Sequence, residues 1–256
     1  MTALVGPAET ATPLPRRTLI ILIVAALALY AVAWGTWVLL PVRWFVTYVH
    51  ELGHALMAEV VGGDTLSLTI NSSAGGLTRS QLPGSDLRAL AVSSAGYIGT
   101  ALFGALLLVF SRQSRSAKGV FIGLAAACAL AAIFWVPWTI EVEDSPLVTA
   151  SGTGAEDGRF TWVFVLTLVA VLIGVAFLAP VRVRQGFAVV VAVLCCASAL
   201  GDVRSLIGLS TGRAAHSDAT VAEGLTGVDA WVWAWLWAGI ALLAVLVGLR
   251  SLARDR

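Results

Sequence analysis

Seven apolar runs, each about 20 residues long, limit what this chain can become. They cover roughly residues 19–40, 42–61, 87–110, 119–140, 160–179, 186–209 and 229–249. About 20 apolar residues in a helix cross the hydrocarbon layer of a bilayer. Backbone polar groups find no water there, so such runs become helices, whose hydrogen bonds close within the segment. The balance of charge agrees: 12% of the 256 residues are charged and 59% are hydrophobic, where a soluble domain carries about 25% charged residues. The sequence predicts an all-α polytopic membrane protein with about six to seven transmembrane helices. Residues 1–15, rich in Ala, Pro and Thr, are expected to form a disordered tail. Residues 16–256 then make a single integral-membrane domain, with no internal repeat and no soluble module.

The second run differs from the others because it carries ionisable residues on one side. His50, Glu51 and His54 stand in the order His-Glu-Leu-Gly-His, with Arg43 before them and Glu59 after. Two histidines four residues apart share a helix face, about 6 Å apart along the axis. That spacing suits a tetrahedral Zn²⁺, with the intervening glutamate beside the metal as general base. A single histidine in an apolar helix is an ordinary core residue. Three ionisable groups buried together are costly without a compensating cation. The face that carries them must therefore turn towards a protein-lined cavity that admits water.

A catalytic zinc uses three protein ligands and keeps one position open. The third histidine, His216, falls in a loop, so the third ligand is sought among the acids. Asp202, within the sixth run, is the preferred candidate, because a carboxylate there needs a partner. An ion pair with Arg204 or Arg43 is the alternative use of that charge. Asp218 could serve as a ligand or as the N-cap of a short helix running to Gly224. Glu59 lies on nearly the same helical face as His50 and is the weakest of the three.

Gly62-Gly63 closes the second helix, and a hairpin pattern follows. Residues 65–70 alternate, 71–76 are turn-like, and 77–80 resume the alternation. Such strands must lie at the interface or behind helices. Either they merely connect two helices, or their edge pairs with an unwound substrate. In the third run Ala95/Gly99 and Thr100/Gly104 have the spacing that lets helices pack closely. Cys128, Cys195 and Cys196 lie in apolar segments and are expected as packing residues. A net charge of +1 with no basic run gives no sign of nucleic-acid binding. Basic residues at 112–118, at 182–184 and at the C-terminus place those segments in the cytoplasm. Arg16 and Arg17 ask the same of the N-terminus, which seven full crossings would forbid.

The stretch HELGHAL in an apolar helix, followed by Gly-Gly and a hairpin, resembles the site-2-protease family of intramembrane zinc metallopeptidases. Ser94-Ala95-Gly96-Tyr97-Ile98-Gly99 and the later Ser217-Asp218-Ala219 are similar to its small bacterial branch. The resemblance implies His50 and His54 as zinc ligands and Glu51 as the base. The distal aspartate falls to Asp202, the family's Leu-Asp-Gly being represented here by Leu200-Gly201-Asp202-Val203. It further implies a zinc metalloendopeptidase of the plasma membrane, acting on transmembrane protein substrates within the lipid bilayer. No PDZ-like insertion is visible. The rival expectation is a non-catalytic metal-binding membrane protein, a degenerate homologue. A transporter is disfavoured, since polar residues gather on the second and sixth runs rather than along several.

Overall fold

The first apolar run does not form one helix. In the computed structural model, which describes residues 14–111, 114–138, 148–152, 158–208 and 217–253, α1 (Arg16–Ala33) stops seven residues before the end of that run. Gly35 and Thr36 follow, the Thr36 hydroxyl donating to the Ala33 carbonyl at 2.7 Å. A single 3-10 turn, Trp37–Leu39, leads into α2 (Leu40–Val60), with Pro41 in its first turn. Proline there starts a helix rather than ending one, because the first-turn N–H groups lack partners anyway. The motif helix thus begins as its own element, and the tail at 1–13 lies outside the described residues.

The later elements are β1 (Asp64–Ile70), β2 (Gly76–Gln81), α3 (Asp86–Ser111), α4 (Ser114–Trp135), β3 (Val148–Gly152), α5 (Gly158–Leu178), α6 (Val181–Gly208), α7 (Asp218–Thr226) and α8 (Ala230–Ala253). Among the described residues, α1, α3, α4, α5, α6 and α8 are long and apolar enough to cross a membrane. The all-α polytopic class with a short hairpin therefore holds. Large apolar side chains point outward on these helices, among them Val32, Phe134, Leu178 and Leu243. A water-soluble protein would not tolerate that much exposed hydrocarbon, whereas lipid solvates it.

Helix α3 sits against α2, α6, α7 and α8, and small residues make the approaches possible. A Cβ on Gly53 of α2 would lie 2.6 Å from the Ala95 carbonyl oxygen, and one on Gly104 2.6 Å from the Cys196 sulfur of α6. The small-residue spacing on α3 is thus used for packing, as expected. Cys128, Cys195 and Cys196 are buried free thiols.

The hairpin is shielded by helices. β1 and β2 pair antiparallel from Asp64↔Gln81 to Ile70↔Gly76, with one irregularity between Thr65 and Ser67. The Asn71 side chain organises the turn by accepting from the Ser73 and Gly75 amides at 3.1 and 2.9 Å. On the α5 side, Thr161 Oγ1 accepts from the Ile70 amide at 2.8 Å and donates to the Ile70 carbonyl at 3.1 Å. On the α2 side, the Thr65 and Thr47 hydroxyls donate to the Ala55 and Ala74 carbonyls. Between the fourth and fifth apolar runs lies β3, which no sequence pattern announces; it pairs with β2 from Leu77↔Gly152 to Gln81↔Val148. The β2 edge, one alternative for which was pairing with an unwound substrate, is covered by the chain itself.

Candidate metal centre

Along α2, Arg43, Thr47, His50 and His54 follow one another at spacings of three and four residues, which puts them on one face. The two imidazoles take fixed roles. His54 is buried, and its Nδ1 lies 2.7 Å from the Val92 carbonyl of α3. That contact places the ring proton on Nδ1 and leaves the Nε2 lone pair facing the cavity. His50 Nε2 lies 3.0 Å from it. Room for both rings comes from Gly96, where a Cβ would stand 2.5 Å from each Nε2. The Tyr97 ring meets His50 edge-on at 4.8 Å and stacks on Trp237.

The acid that completes the group is Asp218. Its Oδ2 lies 3.1 Å from His50 Nε2 and 3.3 Å from His54 Nε2. Helix α7 aims it there. Ser217 caps the helix, its Oγ accepting from the Thr220 amide while Thr220 Oγ1 accepts from the Ser217 amide. Asp218 follows in the first turn, where the helix dipole favours a carboxylate. Ala219 and Ala222, on the same buried side of the helix, pack against Leu90, Tyr97 and Trp237. Burial raises the Asp218 carboxyl, and the imidazoles of His54 and His50 more than offset it, holding it below the usual carboxylate range.

The sequence favoured Asp202 over Asp218, whereas among the described residues it is Asp218 that joins the two histidines. Asp202 lies in the last turns of α6, and its side chain is outside those described. Glu59 is used elsewhere: its Oε1 accepts from the Thr65 amide at 2.8 Å, tying α2 to β1. His216 lies outside the described residues.

Three donor atoms, from His50, His54 and Asp218, lie within 4.8 Å of one another. Convergent lone pairs repel unless a cation sits among them. A tetrahedral zinc with bonds of about 2.0–2.1 Å separates its ligand atoms by about 3.3 Å, close to the spacings found. The second Asp218 oxygen is buried without a partner among the described residues. Donor chemistry, spacing and the unfilled valence all fit a divalent cation.

The geometry is that of a zinc-protease-like site, and the peptidase M50B-like family model matches residues 21–145 and 157–248. This chain belongs to the peptidase M50B-like family. Each matched stretch of this family member carries part of the site, the histidine pair and Glu51 in the first and Asp218 in the second. No curated protein and no solved structure matches the chain.

Glu51 itself is buried against the hairpin. Thr78 Oγ1 of β2 lies 2.7 Å from Glu51 Oε2 and 3.1 Å from the Glu51 carbonyl. A Cβ on Gly76 would stand 2.5 Å from Oε1. Nothing in the sequence pattern assigns a functional role to Thr78, Gly76 or Gly96. Two glycines and a hydroxyl threonine become legible only once the hairpin and α3 are packed on α2. A cavity of about 420 Å³ opens onto His50, Glu51, His54 and Asp218, with Thr47 and Tyr97 among its walls.

Proposed function

We propose that the chain is an intramembrane zinc metalloprotease that hydrolyses peptide bonds of membrane-embedded or membrane-adjacent proteins. The observation that carries the reading is the convergence of His50, His54 and Asp218 beside a buried Glu51. Zinc held by these three residues would supply a Lewis acid that polarises the substrate carbonyl and acidifies water. Glu51 takes the proton of the attacking water as the carbon–oxygen bond forms, then passes it to the departing amine. Thr78 holds the Glu51 carboxyl in place between those two transfers. The imidazole of His54, fixed by Val92, keeps its lone pair on the cavity side throughout. A transmembrane substrate must unwind locally, since a helix keeps its carbonyls hydrogen-bonded and wound around its own axis.

Glu51→Gln keeps the size and hydrogen-bonding capacity of the side chain and removes the base. Purified protein carrying it should retain zinc, read by elemental analysis, and lose about 10²–10⁴-fold of its proteolysis of a membrane substrate. Zinc without any Glu51-dependent cleavage would favour the non-catalytic metal-binding reading instead.

Topology belongs to the same reading. Six crossings return the chain to its starting side, so both termini face the cytoplasm, as the arginines at 16–17 and at the C-terminus ask. Labelling a single cysteine placed at either end, from one side of sealed vesicles, should give the same answer for both.

A further inference from the structure

Arg43 has no hydrogen bond or ion pair among the described residues, although it lines the same cavity as His50, Glu51, His54 and Asp218. It is the one lysine or arginine among the described residues lining that cavity. Its surroundings make the charge expensive. It stands in the first turns of α2, where the helix dipole disfavours a cation. The opposite side of that same stretch, Pro41, Val42, Trp44 and Phe45, lines a separate apolar cavity together with Leu107, Phe121 and Leu172 of α3, α4 and α5. Arg43 therefore lies alongside membrane-spanning helices rather than in a surface loop. A half-buried cation with no protein partner among the described residues, facing a cavity it shares with a metal-binding cluster, is placed to bind a ligand.

We infer that Arg43 is a recognition residue for an acidic side chain of the substrate, a reading that rests on the proteolytic function proposed above. Distance sets the register. Arg43 and His50 are seven residues apart on one helix face, about 10 Å along the axis. An extended peptide advances about 3.3 Å per residue, so roughly three residues separate the bond at the metal centre from the residue at Arg43. The guanidinium offers a fork of donors that matches a carboxylate, giving a charge-assisted, two-point contact in a site of low dielectric. Arg43 touches no reacting atom in this scheme; it chooses which peptides reach Glu51 in register. A lipid phosphate could also satisfy the charge, but the cavity Arg43 shares with the metal centre favours a ligand that spans both.

The test uses peptide hydroxamates, which bind zinc and need no turnover. Pairs would carry Glu or Gln at the second, third or fourth residue from the hydroxamate, titrated into full-length zinc-loaded protein in zwitterionic nanodiscs. Wild type should prefer Glu over Gln by about tenfold at one of these positions, as an ionic hydrogen bond would give. Arg43→Ala should bind both members equally, and Arg43→Glu should prefer Lys at that position, each with unchanged zinc content. Hydroxamates that bind with no Glu preference at any position would overturn the inference and leave the metal centre standing. Hydroxamates that fail to bind at all would overturn the metalloprotease reading, and this one with it. A Glu preference that vanishes in phosphatidylglycerol nanodiscs would assign Arg43 to a lipid headgroup instead.

Discussion

The choice of Asp218 as candidate third ligand rests on single atoms. Asp218 Oδ2 lies within hydrogen-bonding distance of both imidazoles, and Gly96 leaves the space they occupy. Metal content of the purified protein should therefore fall in Asp218→Ala and stay unchanged in Asp202→Ala. Gly96→Ala should weaken zinc about 10- to 100-fold, since its new methyl displaces both rings while leaving every ligand in place. Loss of zinc in Asp202→Ala with retention in Asp218→Ala would restore the ligand set expected from the sequence. The difference between the two aspartates shows what a sequence can encode. His50 and His54 are related within one helix, so their spacing alone reveals the shared face. His54 and Asp218 are related only through packing. The high cost of an acid in an apolar run pointed to Asp202, while Asp218 had a ready explanation as a cap. A usable signal was present: Ser217 and Thr220 begin a short helix whose Ala219 and Ala222 mark a buried flank.

At the scale of elements, the hairpin does more than connect α2 to α3. Its β2 strand presses Thr78 and Gly76 onto Glu51, and its β1 strand is fastened to α5 through the two Thr161 contacts with Ile70. Thr161→Val keeps the shape and leaves the buried Ile70 amide and carbonyl without those partners. A loss of about 2 kcal/mol in stability is expected, with faster hydrogen exchange across residues 64–81 and a lowered turnover at unchanged zinc content. Unchanged exchange there would mean that α5 does not hold the hairpin. The hairpin itself was legible, because alternation and a Gly-rich turn are local patterns. Strand β3 was not: Val148–Gly152 owes its state to the vacant edge of β2, not to its own composition. The break between α1 and α2 was misplaced for a related reason, since an apolar run reports length but not where Gly35 and Pro41 reset the backbone.

For the whole molecule, the candidate metal centre would act as a clasp. Its three donor residues come from α2 and α7, two elements that both pack on α3, and neither belongs to the six membrane-length helices found among the described residues. Helix α7 has nine residues, too few to be stable alone in water. It is held by its alanine flank, by the Ser217 cap and, in the proposed holoenzyme, by the bond from Asp218 to zinc. Anything that binds only the folded state adds stability in proportion to the logarithm of its concentration over its dissociation constant. Zinc at a thousandfold excess over that constant should contribute about 4 kcal/mol, or about 10 °C in the thermal midpoint of a chain this size. Chelation should therefore lower the midpoint by about that amount, and Asp218→Ala should remove most of the difference between zinc-loaded and chelated protein. Glu51→Gln, which binds no metal in this scheme, should keep the full difference. The contrast matters because a purely catalytic defect and a lost clasp both abolish proteolysis, whereas only the second uncouples zinc from the thermal midpoint. A zinc-dependent shift of the same size in Asp218→Ala would place the third ligand outside α7, and the link between α2 and α7 would have to come from packing alone.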